Sequence, residues 1–344
     1  MKKLFLVFVS LLFLTACGKN NINDVKKRFS DDVNNSKAYE LSGKMSVISD
    51  EEQFNYSINV KHLSDNFYKV ELLNTDNNHN QIILKNNDGV YVITPSLNKS
   101  YKFESSWPNN SSQSYLLESL LKDINNDSKS KLTSKDNKYI ISAKVNYPNN
   151  DDLVKEDIYF DSKMNIKKVV VYNNNGDQRI VTEFTKTNLK AKLDENDFKL
   201  DEYINNEENT KENTCEGENC PKSKTTSNIL DDIIYPLYLP SNTFLTSSES
   251  IGSENDKRVI LTFAGDKNFT IVEEASAPSD EFEVSPVYGD PILLNDTLGV
   301  MQDNSVRWTR GNISYYLTSN NLTSSEMATI ASSMNQTKSV LGSK

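Results

Sequence analysis

Hydrophobic positions fall into three regimes along the chain. Leu4 to Leu14 is apolar except for Ser10, with Lys2 and Lys3 before it and the small residues Thr15 and Ala16, then Cys17, after it. From Tyr39 the pattern has period two. Tyr39, Leu41, Met45 and Val47 alternate with polar residues, as do Phe54, Tyr56, Ile58 and Val60 in "EEQFNYSINVKH" and Tyr68, Val70 and Leu72 in "NFYKVELL". Such alternation predicts antiparallel strands with one buried face. "QIILK", "GVYVIT" and "SYKF" predict further strands, separated by turns rich in Asn and Asp. The period lengthens in "SSQSYLLESLLKDI", where Tyr115, Leu116, Leu120 and Ile124 share a helical face adjoined by Leu117 and Leu121, and where Ser111 or Ser112 can cap the helix. Strands resume with "KYIISAKVNY", "LVKEDIYFD", "IKKVVVYN" and "QRIVTEFTKTNL". Asn175-Gly176 predicts a hairpin between the last two, because both residues tolerate positive φ.

Two breaks in this pattern divide the chain. Residues 17–35 are polar and predict a tether with a short helix. Residues 205–228 have no apolar period and predict a linker. The chain then reads as a β-rich domain over 36–204 and a small α+β domain over 229–341, folding independently with no contacts across the linker. In the second, "RVILTFAG", "NFTIVEEA", "DPILLND", "GVMQ" and "SVRWTRGNISYYLTS" predict strands. Thr323 or Ser324 caps a last helix with Met327, Ile330, Ala331 and Met334 on one face.

The first sixteen residues have the layout of a secretory signal: charged, apolar, then small. The apolar run is shorter than the ~20 residues a spanning helix needs. Leu14-Thr15-Ala16-Cys17 resembles a bacterial lipobox, which implies a diacylglycerol on the Cys17 thiol and cleavage before it. An ordinary cleaved signal with an incidental cysteine fits less well, since charge, core length and cysteine all agree. The expected location is the extracytoplasmic face of the cell membrane, held by lipid. Formal net charge is −10, about −12 once Lys2 and Lys3 are cleaved away. That balance argues against a nucleic-acid partner, which calls for clustered Lys and Arg. Nor would an anionic membrane surface attract the body of the protein.

The chemistry-bearing residues are few. Cys215 and Cys220 lie in the polar linker and can form a disulfide or remain free thiols. No metal site or cofactor is expected, because the only histidines, His62 and His79, are distant from the cysteines and fall in polar stretches read as solvated turns. Ser96-Leu97-Asn98-Lys99 fits S-x-x-K and Ser64-Asp65-Asn66 fits S-D-N, but their order is reversed and K-T-G is absent. No nucleophile with a base stands out, so a non-enzymatic protein is expected. Trp107 and Trp308 read as core or rim aromatics.

Two stretches resemble known families. "YFDSKMNIKKVVVYNNNGDQRIVTEF", then Asn188, Asp194 and "DFKL", is similar to the closing pattern of LolA-like domains, the lipoprotein-sorting family. "YKFESSWPNNSSQSYLLESLL" resembles clostridial lipoproteins of the germination (GerS) type. Leu239-Pro240, "GDKNFTIV" from Gly265, Trp308-x-x-Gly311-x-x-x-Tyr315 and the helix Glu326 to Met334 resemble the extracytoplasmic DUF4367 module. The order of the two domains is also that of RseB-like envelope-stress sensors. The resemblance implies an α+β fold: an unclosed antiparallel half-barrel wrapped on helices, with an apolar concavity, followed by a small α+β domain. It implies a membrane-tethered binding or partner-docking lipoprotein, acting in sporulation or germination, or a carrier of acyl chains. Candidates for the concave wall are Tyr39, Leu41, Met45, Phe54, Tyr56, Ile58, Tyr68, Val70 and Leu72 from strands and Leu117 and Leu120 from the helix. Central positions of such a face read as packed core, and the remainder as a site for an acyl chain or a partner's apolar anchor.

The lipobox reading gives a first test. Cys17→Ser should move the protein from the membrane fraction to the soluble fraction when cells are lysed and fractionated; retention in the membrane would refute the lipid anchor.

Overall fold

A computed structural model describes residues 21–49, 52–135, 138–204, 230, 232–253 and 257–334. Cys17, Cys215, Cys220 and the 205–228 linker lie outside them. Eleven antiparallel strands build the first sheet: β1 (Ala38–Ile48), β2 (Gln53–Leu63), β3 (Phe67–Asn74), β4 (Asn80–Asn86), β5 (Gly89–Thr94), β6 (Lys99–Glu104), β7 (Lys131–Lys135), β8 (Lys138–Lys144), β9 (Leu153–Phe160), β10 (Ile166–Asn173) and β11 (Gln178–Asn188). Their spatial order is 6-5-4-3-2-1-11-10-9-8-7, so the sheet has two free ends and does not close. It curls around α1 (Ile22–Asn34) and α2 (Leu117–Asn126). This is the unclosed α+β half-barrel that the resemblance to LolA-like domains implies.

The short helix expected within the 17–35 tether occupies nearly all of its described part, and one stripe of it belongs to the core. Asn21 and Asp24 form a capping box that starts α1, and Val25, Phe29 and Val33, four apart, are all buried against the sheet. Phe29 meets Phe160 edge to face at 5.1 Å. Helix α2 begins two residues later than its apolar pattern predicts and has no side-chain cap. Ser112 is engaged elsewhere, its hydroxyl accepting from the Asn146 amide at 2.8 Å. The β10–β11 turn is also wider than predicted. Only Gly176 takes positive φ (87°), while Asn173 Oδ1 accepts from the amides of Asn175 and Asp177 across a four-residue loop.

The near-continuous apolar runs of β4 and β5 have a cause. Ile83, Val90 and Val92 face the helices, whereas Ile82, Leu84, Tyr91 and Ile93 face outward and are covered by Phe198. Phe198 closes the Asp194-x-x-x-Phe motif, whose Asp194 caps the 3-10 turn carrying it. A short helix, α3 (Asp201–Ile204), follows.

The second sheet contains β12 (Thr243–Ile251), β13 (Arg258–Gly265), β14 (Phe269–Ala275), β16 (Asp290–Leu294), β17 (Thr297–Gln302), β18 (Ser305–Arg310) and β19 (Ile313–Thr318), in the order 12-13-14-19-18-17-16. One face is covered by α4 (Ser324–Ser332), capped by Thr323 in a box with Glu326. Met327, Ile330 and Ala331 are buried on it, as expected, and Met334 is buried just past its end. Trp308 and Tyr315 are register partners and stack at 5.0 Å.

The expectation of no contacts across the linker is overturned. Strand β15 (Glu283–Tyr288) leaves the second unit and pairs in parallel with β6, extending the first sheet to twelve strands. The exposed β6 edge offers unpaired amides and carbonyls, and a passing extended segment satisfies them. The chain returns through the single residue Gly289. Its φ is +101°, and an added Cβ would stand 2.0 Å from the Met301 carbonyl oxygen, so glycine is required there.

Beyond it, the β16–β17 turn grips the first sheet. Buried Gln81 accepts from the Leu298 amide at 2.6 Å and the Thr297 hydroxyl at 3.1 Å. Tyr56 donates to the Asn295 carbonyl at 2.8 Å. The turn is itself held by Asp296, which pairs with buried Arg310 through Nε at 2.7 and 2.9 Å.

Gln81→Leu keeps the volume but strands the Leu298 amide, while the Thr297 hydroxyl keeps the Thr309 carbonyl at 2.9 Å. We expect a loss of about 1–3 kcal/mol in urea-induced unfolding. An unchanged midpoint would show that Gln81 does not join the two units.

Candidate functional site

A large opening lies where the half-barrel meets the second unit, with a volume of about 980 Å³. Its floor is apolar: Met45 and Val47 from β1, Ile83 from β4, Trp107, Leu153 and Ile180. The opposite wall is Ile292 and Leu293 of β16, Leu298 of β17 and Ala328 of α4. These residues converge because β15 and Gly289 bring β16 across the open end of the half-barrel. Leu237 and Tyr238 stand at the mouth, 75% and 43% exposed. Their amides are held by the Ser333 carbonyl and hydroxyl at the end of α4. Polar groups interrupt the apolar surface, among them Asn110, whose Oδ1 has no hydrogen-bond partner.

Of the eleven predicted wall residues, Met45 lines this opening. Tyr39, Leu41, Tyr56, Ile58, Tyr68, Val70, Leu72, Leu117 and Leu120 are buried in the packed core, and Phe54 packs partly buried against it. Helix α2 lies across that part of the sheet, so its alternating face makes core there. Both predicted tryptophans are buried too, with Trp107 doubling as cavity floor. His62 is not in a solvated turn. It is 4% exposed within β2, stacked between Tyr39 and Tyr68, with Nε2 3.3 Å from Glu118 Oε1. The residues missed from sequence are those of the 147–153 loop, of β16 and of α4. A strand-by-strand reading has no local signal for them, although the proline-bounded run "YPLYLP" marks the mouth.

Behind the cavity wall is a group of acids. Glu156, on the concave face of β9, is fully buried with neither carboxylate oxygen hydrogen-bonded. Burial, and then the nearby Asp123 and Asp157 carboxylates, push its pKa well up. Asp123 on α2 is pushed up by burial to about 6. Tyr147 and Tyr115, which face the cavity, are raised chiefly by burial, Tyr147 also by Glu156. The two tyrosines are therefore neutral at pH 7 and Glu156 is biased towards its protonated form, whereas Asp123, raised only to about 6, is mostly ionised there. Among the described residues no three His, Cys, Asp or Glu side chains converge as metal ligands would.

Comparisons with known proteins agree with the sporulation reading. A family model described as sporulation protein YdcC-like matches residues 1–198. The sporulation protein YdcC of Bacillus subtilis (strain 168) is 33% identical over 327 residues, covering 95% of this chain and 94% of that protein. The chain belongs to the YdcC-like family of sporulation proteins. Solved structures resemble it more distantly. A chain of the Pseudomonas aeruginosa MucA/MucB complex covers 89% of this chain and 97% of its own length, at 14% identity and a TM-score of 0.31. A chain of the CwlD amidase from Clostridioides difficile in complex with the GerS lipoprotein covers 49% and 96%, at 14% and 0.30. A LolA-superfamily protein from Nitrosomonas europaea covers 54% and 100%, at 11% and 0.32. Membership of the YdcC-like family rests on the two sequence matches.

Glu156 supplies a pH test. Above its ordinary value of 4.5 the unfolded chain sheds a proton that the folded chain retains. The parent thus loses roughly 1.4 kcal/mol of stability per pH unit up to the raised pKa. Glu156→Gln cannot ionise, so it should be the more stable protein at pH 7–8, by a margin that vanishes towards pH 4.5. Urea unfolding at several pH values measures this; a margin that does not vary with pH rules out a buried neutral acid.

Proposed function

We propose that this YdcC-like protein is a non-enzymatic, lipid-anchored binding protein on the extracytoplasmic face of the membrane of the sporulating cell. Its binding site is the cavity between the half-barrel and the second unit. The observation that carries this reading is the cavity itself: about 980 Å³, with an apolar floor and apolar residues exposed at its mouth. An apolar space of that size is large enough for a drug-sized ligand or several side chains of a partner. The lipobox at Cys17 and the membership in a sporulation family support the location and the life stage. The cavity is contiguous with solvent, so a partner segment can enter without unfolding either unit. Carrying acyl chains is the second reading, favoured by the same apolar floor.

A neutral solvatochromic dye such as Nile red tests the cavity without regard to ligand charge. The parent should bind it with a blue-shifted emission. Ser332→Trp, on the half-buried α4 wall, should fill the space and weaken binding by at least about tenfold with little change in melting. Undiminished binding by the variant would place the apolar site elsewhere.

A further inference from the structure

The rim of the cavity is strongly one-signed. Five carboxylates line it, Glu52, Asp151, Asp152, Asp290 and Glu326, against a single cation among the described residues, Arg179. Glu326 is already paired with Lys267 at 3.0 Å. Among the described residues, Asp151, Asp152 and Asp290 make their side-chain hydrogen bonds to neutral groups. Asp151 accepts from the Ser325 hydroxyl at 2.6 Å, Asp152 from the Asn174 amide at 3.3 Å, and Asp290 from the Ser105 hydroxyl. Two of the three stand on the loop before β9 and the third begins β16, so the charge belongs to both units that form the mouth.

We propose that the occupant of this cavity is an amphipathic, basic peptide segment of a protein partner, its apolar side chains on the floor and its Lys or Arg side chains against Asp151, Asp152 and Asp290. The proposal rests on the cavity being the binding site, as argued above, and adds the chemistry of what enters. Charge complementarity sets the sign of the ligand. A free fatty acid would bring a carboxylate to a rim already rich in them. The walls also favour a peptide over an alkyl chain. Asn110, Gln113, Asn150 and Asn295 line the same space. An acyl chain leaves such groups without partners, whereas a peptide backbone can hydrogen-bond to them. Leu237 and Tyr238 extend the apolar surface outward from the mouth, as contact with a segment longer than the cavity requires.

The test uses the full mature chain and three fluorescein-labelled probes: a 14-residue amphipathic peptide of Leu and Lys, its Leu/Glu counterpart, and a C16 fatty acid. The Leu/Lys peptide should bind at least tenfold more tightly than the Leu/Glu peptide, and its affinity should fall as salt is raised. Changing Asp151, Asp152 and Asp290 together to Asn should weaken the Leu/Lys peptide by at least tenfold, since each exposed pair is worth a factor of roughly two to five. The same variant should leave Nile red binding unchanged, which shows that fold and cavity are intact. Ser332→Trp should abolish peptide binding. Equal binding of the two peptides, with Nile red still sensitive to Ser332→Trp, overturns the basic-peptide proposal and leaves the cavity reading standing. Uptake of the fatty acid without binding of the Leu/Lys peptide makes the occupant a lipid and also overturns it. Leu/Lys binding that ignores Ser332→Trp is adhesion to an acidic surface, and refutes it as well.

Discussion

The architecture depends on the short turn between β16 and β17. Arg310, 5% exposed, holds Asp296 bidentately and also donates to the Met334 carbonyl at the end of the last helix. A pair buried to this degree is stabilising only while both partners remain, and losing one of a buried pair costs about 3–5 kcal/mol. Fixing Asp296 fixes residues 295–298, and those residues present carbonyls and an amide to Tyr56, Asn74 and Gln81 of the first sheet. One ion pair inside the second unit therefore sets the seat of the first. Without that seat, Leu298 and Val300 would not enter the core of the half-barrel, and the cavity would have one wall.

The parallel strand β15 has the complementary role. It fixes the angle at which β16 leaves the first sheet, and Gly289 makes the crossing in one residue because no side chain fits below the Met301 carbonyl. The two devices act at opposite ends of β16: a ladder and a glycine before it, a hydrogen-bonded turn after it. A cavity bounded by elements so held is preorganised, so a ligand need not order the walls as it binds.

Much of the fold is legible in the sequence because its signals are local. Period-two alternation in 39–60, the apolar face of 323–334 and the Asp194-x-x-x-Phe198 closing motif each specify an element from adjacent residues. The misreadings share a physical origin. Residues 22–34 look polar because only every fourth one, Val25, Phe29 and Val33, is buried, too sparse a stripe to stand out from a tether. "EFEVSPVY" does not read as a strand, because Pro286 and scattered charges break its alternation, and only the geometry of the free β6 edge gives it to the first sheet. The cavity was illegible for the same reason. Its floor comes from residues spread over positions 45–180, but its far wall comes from residues 292–328, more than a hundred positions later. What the alternation in 39–72 does encode is the core under α2, where most of the predicted wall residues lie.

The early start of α1 bears on how the site meets a membrane. With a lipid on Cys17, about five residues separate the anchor from Ile22, and an extended chain of that length spans at most roughly 17 Å. Helix α1 is packed into the half-barrel through Phe29 and Lys26, whose ammonium donates to the Ile124 carbonyl at 3.2 Å. On the proposed anchor, the body would be confined within a short distance of the bilayer rather than swinging on a long tether. A net-acidic body so confined would be repelled by anionic headgroups and turned outward as far as the chain allows. The proposed site would then sample segments that are themselves close to the membrane, at an effective concentration that a freely diffusing protein would not reach. Close confinement would thus compensate for the modest strength of each exposed charge pair at the rim, which is why the proposed docking role suits an anchored protein better than shuttling between membranes does.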